Sequence, residues 1–278
     1  MEKGVPIRSI SRCISVLQAI NRSGSLTMME IAHSSSVPYP TACRIVQTLL
    51  FEGLIEKEPS RKRYRATALV QSLSHGFQDH DRLVTTARQH IVSLTKKLTW
   101  PVSLATRVGS VMMIRDSTHS LTSLTFNNYF PGYTLPILDC ASGRVYLTYT
   151  DDETRAGILD ALVPPTDSAA ALRYSLARSG ALFDEIRTNG FASTGRNKFT
   201  ATPGKTSSIA VPVFDAQGIA GALVLIFFAS AIKMNDAIKL YVDDLKATAN
   251  IISEELRQPL PVEKPAGARL PRNNSVSL

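Results

Sequence analysis

Apolar residues recur at helical spacing through the first third of the chain and at strand spacing through the middle. Ile10, Ile14, Leu17 and Ile20 predict a first helix that packs on the next two and ends at Ser23-Gly24. Thr27 with Glu30 three positions on is the spacing of a capping box, so a short second helix starts at Met28 and buries Met28, Ile31 and Ala32. Ser34-Ser35-Ser36 end it. Pro38 and Pro40, tolerated only in a turn or a first helical turn, lead into Ala42, Ile45, Val46, Leu49 and Leu50, a third helix closed by Gly53 as a left-handed cap. Strand-like runs at 54–57 and 63–66 flank the turn Pro59-Ser60-Arg61. Two helices about a turn, followed by a hairpin, predict a winged helix-turn-helix.

Leu69, Val70, Leu73 and Phe77 predict a short amphipathic connecting helix, and Leu83, Ala87, Ile91, Leu94 and Leu98 a longer one. Its stripe either pairs across a two-fold axis or packs on its own domain. From Trp100 the period falls to two. Residues 102–107 and 111–116 form a hairpin about Gly109-Ser110, and 121–126 supply a further strand. Helices follow at 141–148, 151–162 and 175–189, a strand at 191–195, and a hairpin of 207–214 with 221–228. A closing helix, 235–256, starts at the cap residue Asn235. The expected fold is α+β: a DNA-binding unit at 8–67, connecting helices at 68–98, and an antiparallel sheet flanked by helices at 99–258, the plan of a small-molecule sensor. The remaining residues, 259–278, hold four prolines and little apolar content and read as a disordered tail.

Charge sharpens this division. Residues 1–96 hold 13 Lys and Arg against 7 Asp and Glu, while 97–258 hold 15 against 15. Basic excess thus belongs to the winged unit, as binding to a phosphate backbone requires. Cys13, Cys43 and Cys140 lie far apart in apolar surroundings, which fits neither a disulfide framework nor a metal site and implies a reducing, cytoplasmic setting. The uncharged run 218–232 carries two glycines and is shorter than the roughly 20 residues of a membrane span, so it reads as a buried strand and no membrane partner is expected.

The face of the third helix opposite its apolar stripe carries Tyr39, Thr41, Arg44, Gln47 and Thr48, side chains able to reach phosphates or base edges of double-stranded DNA. Lys57, Arg61, Lys62, Arg63 and Arg65 make the wing basic, either as phosphate contacts or as a solvated hairpin. Ser142, His119 and Asp139 supply the residue types of a hydrolytic triad, but 140–144 read Cys-Ala-Ser-Gly-Arg, without the glycine-flanked elbow around the serine. His33, His75, His80 and His90 show no metal-ligand spacing, and no phosphate-cradling glycine loop is present. No catalytic residue, metal or cofactor is therefore expected, and the enzyme reading is set aside.

Val37-Pro38, Thr41 and Arg44-Ile45-Val46-Gln47-Thr48-Leu49, then Leu135-Pro136 with Ala141-Ser142-Gly143, then Asn189-Gly190-Phe191, and then residues 208–215 follow one another in a characteristic order. On these stretches the chain resembles, over residues 8–257, the IclR family of bacterial transcriptional regulators. Trp100-Pro101, Thr118-His119 and residues 225–230 look closest to activators of hydroxyphenylpropionate breakdown. The resemblance implies a GAF-like effector domain, a homodimer or homotetramer on a palindromic operator, and control of a catabolic operon by a small carboxylate. It places the ligand carboxylate on the amides at Ala141 and Ser142, where a helix start favours an anion. Leu124 carries over as an apolar wall and Ser208 as a further effector-binding position. Leu225 and Phe227 stand where small-acid sensors of the family have two serines, which implies an aromatic acid rather than pyruvate or glyoxylate. No acidic residue matches the family's strand-end position within 195–199. A C-terminal domain that serves oligomerisation alone is the alternative.

Overall fold

The computed structural model describes residues 7–125, 129–164, 167–196, 198–199 and 203–258; the expected tail falls outside them, as does the last residue of the strand expected at 121–126. The first unit runs α1 (Arg8–Ser23), β1 (Leu26–Thr27), α2 (Met28–Ser34), α3 (Tyr39–Phe51), β2 (Ile55–Lys57) and β3 (Arg63–Ala66). Its core gathers Val16 and Ile20 of α1, Ile31 of α2, Ala42, Val46 and Leu49 of α3, and Ile55 of the wing. The capping box is formed: the Glu30 amide donates to Thr27 Oγ1 at 3.3 Å, and the Thr27 amide donates to Glu30 Oε2 at 2.8 Å. Gly53 takes a φ of +70° just past α3, a conformation open to glycine at no steric cost. β1 joins the wing through β3, giving the strand order β1-β3-β2.

The stripe expected on α1 is shifted. Ile10 and Ile14 are 54% and 52% exposed, while Val16, Ala19 and Ile20 are buried with Cys13 and Leu17 packed beside them. The helix carries two apolar rows, and periodicity does not say which of them meets α2 and α3. Residues 68–80 form 3-10 turns rather than the expected α-helix; Leu69 and Leu73 remain exposed, and the Phe77 side chain lies outside the described residues. α4 (Asp81–Leu98) buries Ala87, Ile91, Leu94 and Leu98 against its own domain.

That domain is built on a six-stranded antiparallel sheet of order β6-β5-β4-β9-β8-β7. The strands are β4 (Val102–Val108), β5 (Val111–Ser117), β6 (Thr134–Pro136), β7 (Ala192–Thr194), β8 (Thr206–Asp215) and β9 (Gly218–Phe228). Helices cover both faces. α4 and α9 (Met234–Arg257) enclose one core with Leu104, Ile209, Leu223, Leu225 and Phe227. α5 (Ala141–Tyr149), α6 (Asp152–Ala161), α7 (Ser168–Arg178) and α8 (Ala181–Asn189) enclose the other, around Val145, Leu147 and Phe183.

Several expectations are corrected here. Residues 119–121 make a single 3-10 turn and no strand follows through Thr125, because the outer side of β5 is taken by β6, with Met112 opposite Leu135. The helix expected at 175–189 is two helices, parted by Gly180 at φ +84°. Asn235 does not cap α9, whose N-cap position is Lys233 and which has no side-chain cap. The run at 218–232 is a strand to Phe228, buried as expected, and no helix among the described residues is long and apolar enough to cross a membrane.

The capping box sets a first expectation. Thr27→Ala removes the acceptor for the Glu30 amide and should destabilise the winged unit by about 0.5–2 kcal/mol. Urea denaturation followed by circular dichroism checks it, as a lower midpoint at unchanged slope.

Candidate functional site

Two surfaces gather the residues singled out above. On the outer face of α3, Arg44, Gln47 and Thr48 are exposed, Tyr39 is 47% exposed and Thr41 is half-buried. Pro40 stands in the first turn, where its missing N–H leaves nothing unpaired. Thr48 Oγ1 donates to the Arg44 carbonyl at 3.1 Å, which holds the hydroxyl against the helix and leaves its oxygen as an acceptor. Cys43 beside Tyr39 pushes the phenol above its ordinary range, keeping it a proton donor. The face thus offers one guanidinium among neutral hydrogen-bonding groups.

The wing residues divide. Arg61 and Lys62 are exposed about the turn. Arg63 instead points inward: Nη2 donates to Glu30 Oε2 and to the Ser25 carbonyl, both at 2.9 Å, and Nε to Ser25 Oγ at 3.2 Å. It fastens the wing to the start of α2. The Thr27 amide, ahead of the Thr27 hydroxyl and Arg63, holds the Glu30 carboxyl below its usual range. Arg65 lies across the hairpin from Glu56, Nε to Oε1 at 2.6 Å, and keeps about half its side chain in solvent.

The second surface is a cavity between the sheet and the start of α5, of about 460 Å³ including its open mouth. Its apolar walls are Ala105, Met112, Ile114, Leu135, Val224 and Ile226, and Ser103, Tyr129, Ser142, Thr206 and Ser208 add hydroxyl-bearing side chains to the lining. Tyr129 and Thr206 share a 2.8 Å hydrogen bond across it. The enclosed room is close to that of one water molecule, so a larger guest has to part the walls. α5 has no side-chain cap, and its first amides, on Ala141 and Ser142, stand at this wall without intrahelical acceptors, while the Gly143 amide donates to the Cys140 thiol. A Cβ on Gly143 would come within 1.9 Å of the Ile137 carbonyl oxygen, so only glycine lets α5 start so close to the preceding 3-10 turn. Burial holds the Cys140 thiol well above its ordinary range, protonated and hydrogen-bonded by Ser142 Oγ at 3.4 Å.

Of the expected effector positions, Ala141, Ser142 and Ser208 line this cavity. Leu225 and Phe227 do not. They are fully buried on the opposite face of β9, where Trp100 meets the Phe227 ring edge-on at 6.3 Å, and Leu124 packs on that same cluster. Successive strand residues point to opposite faces, so an assignment slipped by one residue selects the wrong interior. Val224 and Ile226 are the residues of β9 that face the cavity, with Ile226 opposite Ser208 in the ladder. The alternation of Ser103 and Ala105 on β4 is a signal that pairing with β9 would have extended to them. Ser142, His119 and Asp139 form no relay among the described residues: Ser142 Oγ bonds Cys140 Sγ, Asp139 pairs with Arg173 at 2.8 Å, and His119 Nδ1 is buried with no partner among those residues.

Comparisons with known proteins bear on both surfaces. The family model for the IclR helix-turn-helix domain matches residues 9–59, and that for the bacterial transcriptional regulator IclR C-terminal domain matches residues 76–254. The HTH-type transcriptional regulator KdgR of Escherichia coli K12 is 20% identical over 250 residues, covering 90% of this chain and 93% of its own. The crystal structure of the Thermotoga maritima IclR superposes with a TM-score of 0.65 at 18% identity, over 90% of this chain and 99% of that one. An IclR homologue from Microbacterium hydrocarbonoxydans, crystallised with 4-hydroxybenzoate, superposes with a TM-score of 0.63 at 18% identity, over 89% and 98%. At these identities the superpositions speak for the fold.

Gly143→Ala is expected to force α5 off the 3-10 turn, at about 1–3 kcal/mol or more for an overpacked interior. A lowered melting temperature checks it, whereas Gly157→Ala, inside α6 and with an added methyl that meets nothing, should melt no lower than the parent.

Proposed function

We propose, from the premise that this chain belongs to the IclR family of bacterial transcriptional regulators, that it senses an aromatic carboxylic acid and adjusts transcription of a catabolic operon. That it is a DNA-binding transcriptional regulator follows from the family matches to both halves. In the proposed reading residues 8–67 bind DNA, 68–98 connect, and 99–258 hold the effector, while a dimer or tetramer engages a palindromic operator in the cytoplasm without catalysing a reaction.

Tyr39, Thr41, Arg44, Gln47 and Thr48 are assigned to the groove, with Arg44 as the single charged group of that face. Arg61, Lys62 and Arg65 are assigned to phosphates; Arg63 contributes by holding the wing in place. Two copies of such a surface neutralise several phosphates, so affinity should fall steeply with added salt. Arg44→Ala should cost about 1–3 kcal/mol of operator binding and leave melting unchanged. Fluorescence anisotropy on a DNA fragment from upstream of the gene measures both. Equal affinity at low and physiological salt would remove the electrostatic reading.

The effector assignment rests on one observation: the start of α5, where the Ala141 and Ser142 amides have no intrahelical acceptor, faces an apolar slot on the sheet. The amides suit a carboxylate. Met112, Ile114, Val224 and Ile226 suit a ring, and burying a phenyl group at about 25 cal/mol per Å² supplies a few kcal/mol that a keto acid lacks the surface to provide. The relative holding 4-hydroxybenzoate and the resemblance to activators of hydroxyphenylpropionate breakdown support the same ligand class. Calorimetry on the full chain with 4-hydroxybenzoate, hydroxyphenylpropionates and pyruvate is the test. The aromatic acids should bind and pyruvate bind more weakly; tighter binding of pyruvate overturns the assignment, and heat from none of them favours a domain for oligomerisation alone.

A further inference from the structure

A short chain of hydrogen bonds, buried up to its last link at the half-exposed Arg88, joins the cavity to the helix that follows the DNA-binding half. Ser103, fully buried on β4, lines the cavity, and its Oγ donates to Ser117 Oγ of β5 at 2.9 Å. The Ser117 amide donates to Asp116 Oδ1 at 2.7 Å. That same oxygen accepts from Arg88 Nη1 at 2.8 Å, and the guanidinium also reaches the Ser117 carbonyl at 3.4 Å. Arg88 stands on α4. Neighbouring residues of one strand point to opposite faces, so Ser117 turns to Ser103 on the cavity side of the sheet while Asp116 turns to the helix. The ladder slips between Leu104 and Ala105, next to this pair. A bulge leaves a strand locally unpaired and therefore able to adjust.

We propose that Ser103, Ser117, Asp116 and Arg88 are the positioning residues that carry occupancy of the cavity through the sheet to α4, and so to operator affinity. The proposal rests on the reading of the cavity as the effector site. A serine hydroxyl has one proton to give. A ligand oxygen that accepts it takes it from Ser117, whose Oγ also accepts the His119 amide at 3.3 Å. Ser117 then shifts, and its amide moves against a carboxylate that is only 8% exposed. A buried carboxylate cannot give up hydrogen bonds without a large penalty, so Asp116 follows its donor and Arg88 follows Asp116. Beside this chain, Thr118 bonds Thr95 of α4 at 2.6 Å and the Val102 amide at 2.8 Å, which fixes the far end of α4 to the sheet. The helix is thus held to the sheet at Thr95 and pulled, near its middle, at Arg88.

The test uses the full chain as wild type, Ser103→Ala, Arg88→Gln, Arg88→Lys and the Ser103→Ala/Arg88→Gln double variant. Calorimetry gives the affinity for 4-hydroxybenzoate, and anisotropy gives operator affinity with and without a saturating amount of it. Wild type should show a coupling in the range of about 5–150-fold. Arg88→Gln should keep the acid affinity and lose most of that coupling, and Arg88→Lys should regain part of it. Without any acid, amide exchange over residues 84–92 should quicken several-fold in Ser103→Ala, with little further increase in the double variant. Full coupling in Arg88→Gln, or unchanged exchange in α4 of Ser103→Ala, overturns the relay. A wild type that binds no aromatic acid defeats the effector reading instead, and the exchange measurement then decides the relay alone. Ser103→Ala removes one oxygen and leaves the backbone untouched, so it remains informative if an Arg88 variant fails to fold.

Discussion

A sheet covered on both faces has to decide, residue by residue, which of two interiors each side chain enters, and this decision governs everything else in the C-terminal half. In β9 the alternation sends Leu223, Leu225 and Phe227 to α4 and α9, and Val224 and Ile226 to α5. The first set builds a dry core closed by the single tryptophan, whose Nε1 donates to Tyr241 Oη at 3.1 Å. The second set is interrupted by serines and threonines of β4 and β8, and the cavity lies there. Neither face is sufficient alone. The dry face supplies the stability that lets the other remain incompletely filled, since an interior with room in it gives up contacts that a close-packed one would make.

The winged unit was legible because its signals are local. Thr27 and Glu30 lie within one turn, Pro40 and Gly53 bracket one helix, and the hairpin residues adjoin in sequence, so each element needs no knowledge of distant partners. What was not legible there is a matter of choice between equals. The two apolar rows of α1 differ in burial only because α2 and α3 lie on one side of it, and Arg63 looks like the other wing arginines until Glu30 is brought up to it through the pairing of β1 with β3.

In the second half the strands β4, β5, β8 and β9 were evident from composition and period, and the parity of β9 was not. A strand buried on both faces reads as a continuous apolar run and carries no alternation to fix its phase. The family resemblance placed Ala141 and Ser142 at the cavity because they stand at a helix start, a local feature. It misplaced Leu225 and Phe227 by one position, because that assignment needed the ladder. The edge strand β6 escaped notice for a related reason: three residues ending in proline satisfy none of the usual strand signals, and their place is dictated by β5.

The inward-turned Arg63 has a consequence for how operators are measured out. With its guanidinium bonded to Glu30 and Ser25, and with β1 paired to β3, the hairpin cannot swing independently of α2 and the helix beyond it. The distance from helix face to wing tip is then a fixed ruler. Any freedom of the winged unit relative to the C-terminal domain then falls to residues 68–80, whose 3-10 turns leave Leu69 and Leu73 in solvent. Lengthening or stiffening that segment therefore changes where the ruler is carried and leaves the ruler itself unaltered.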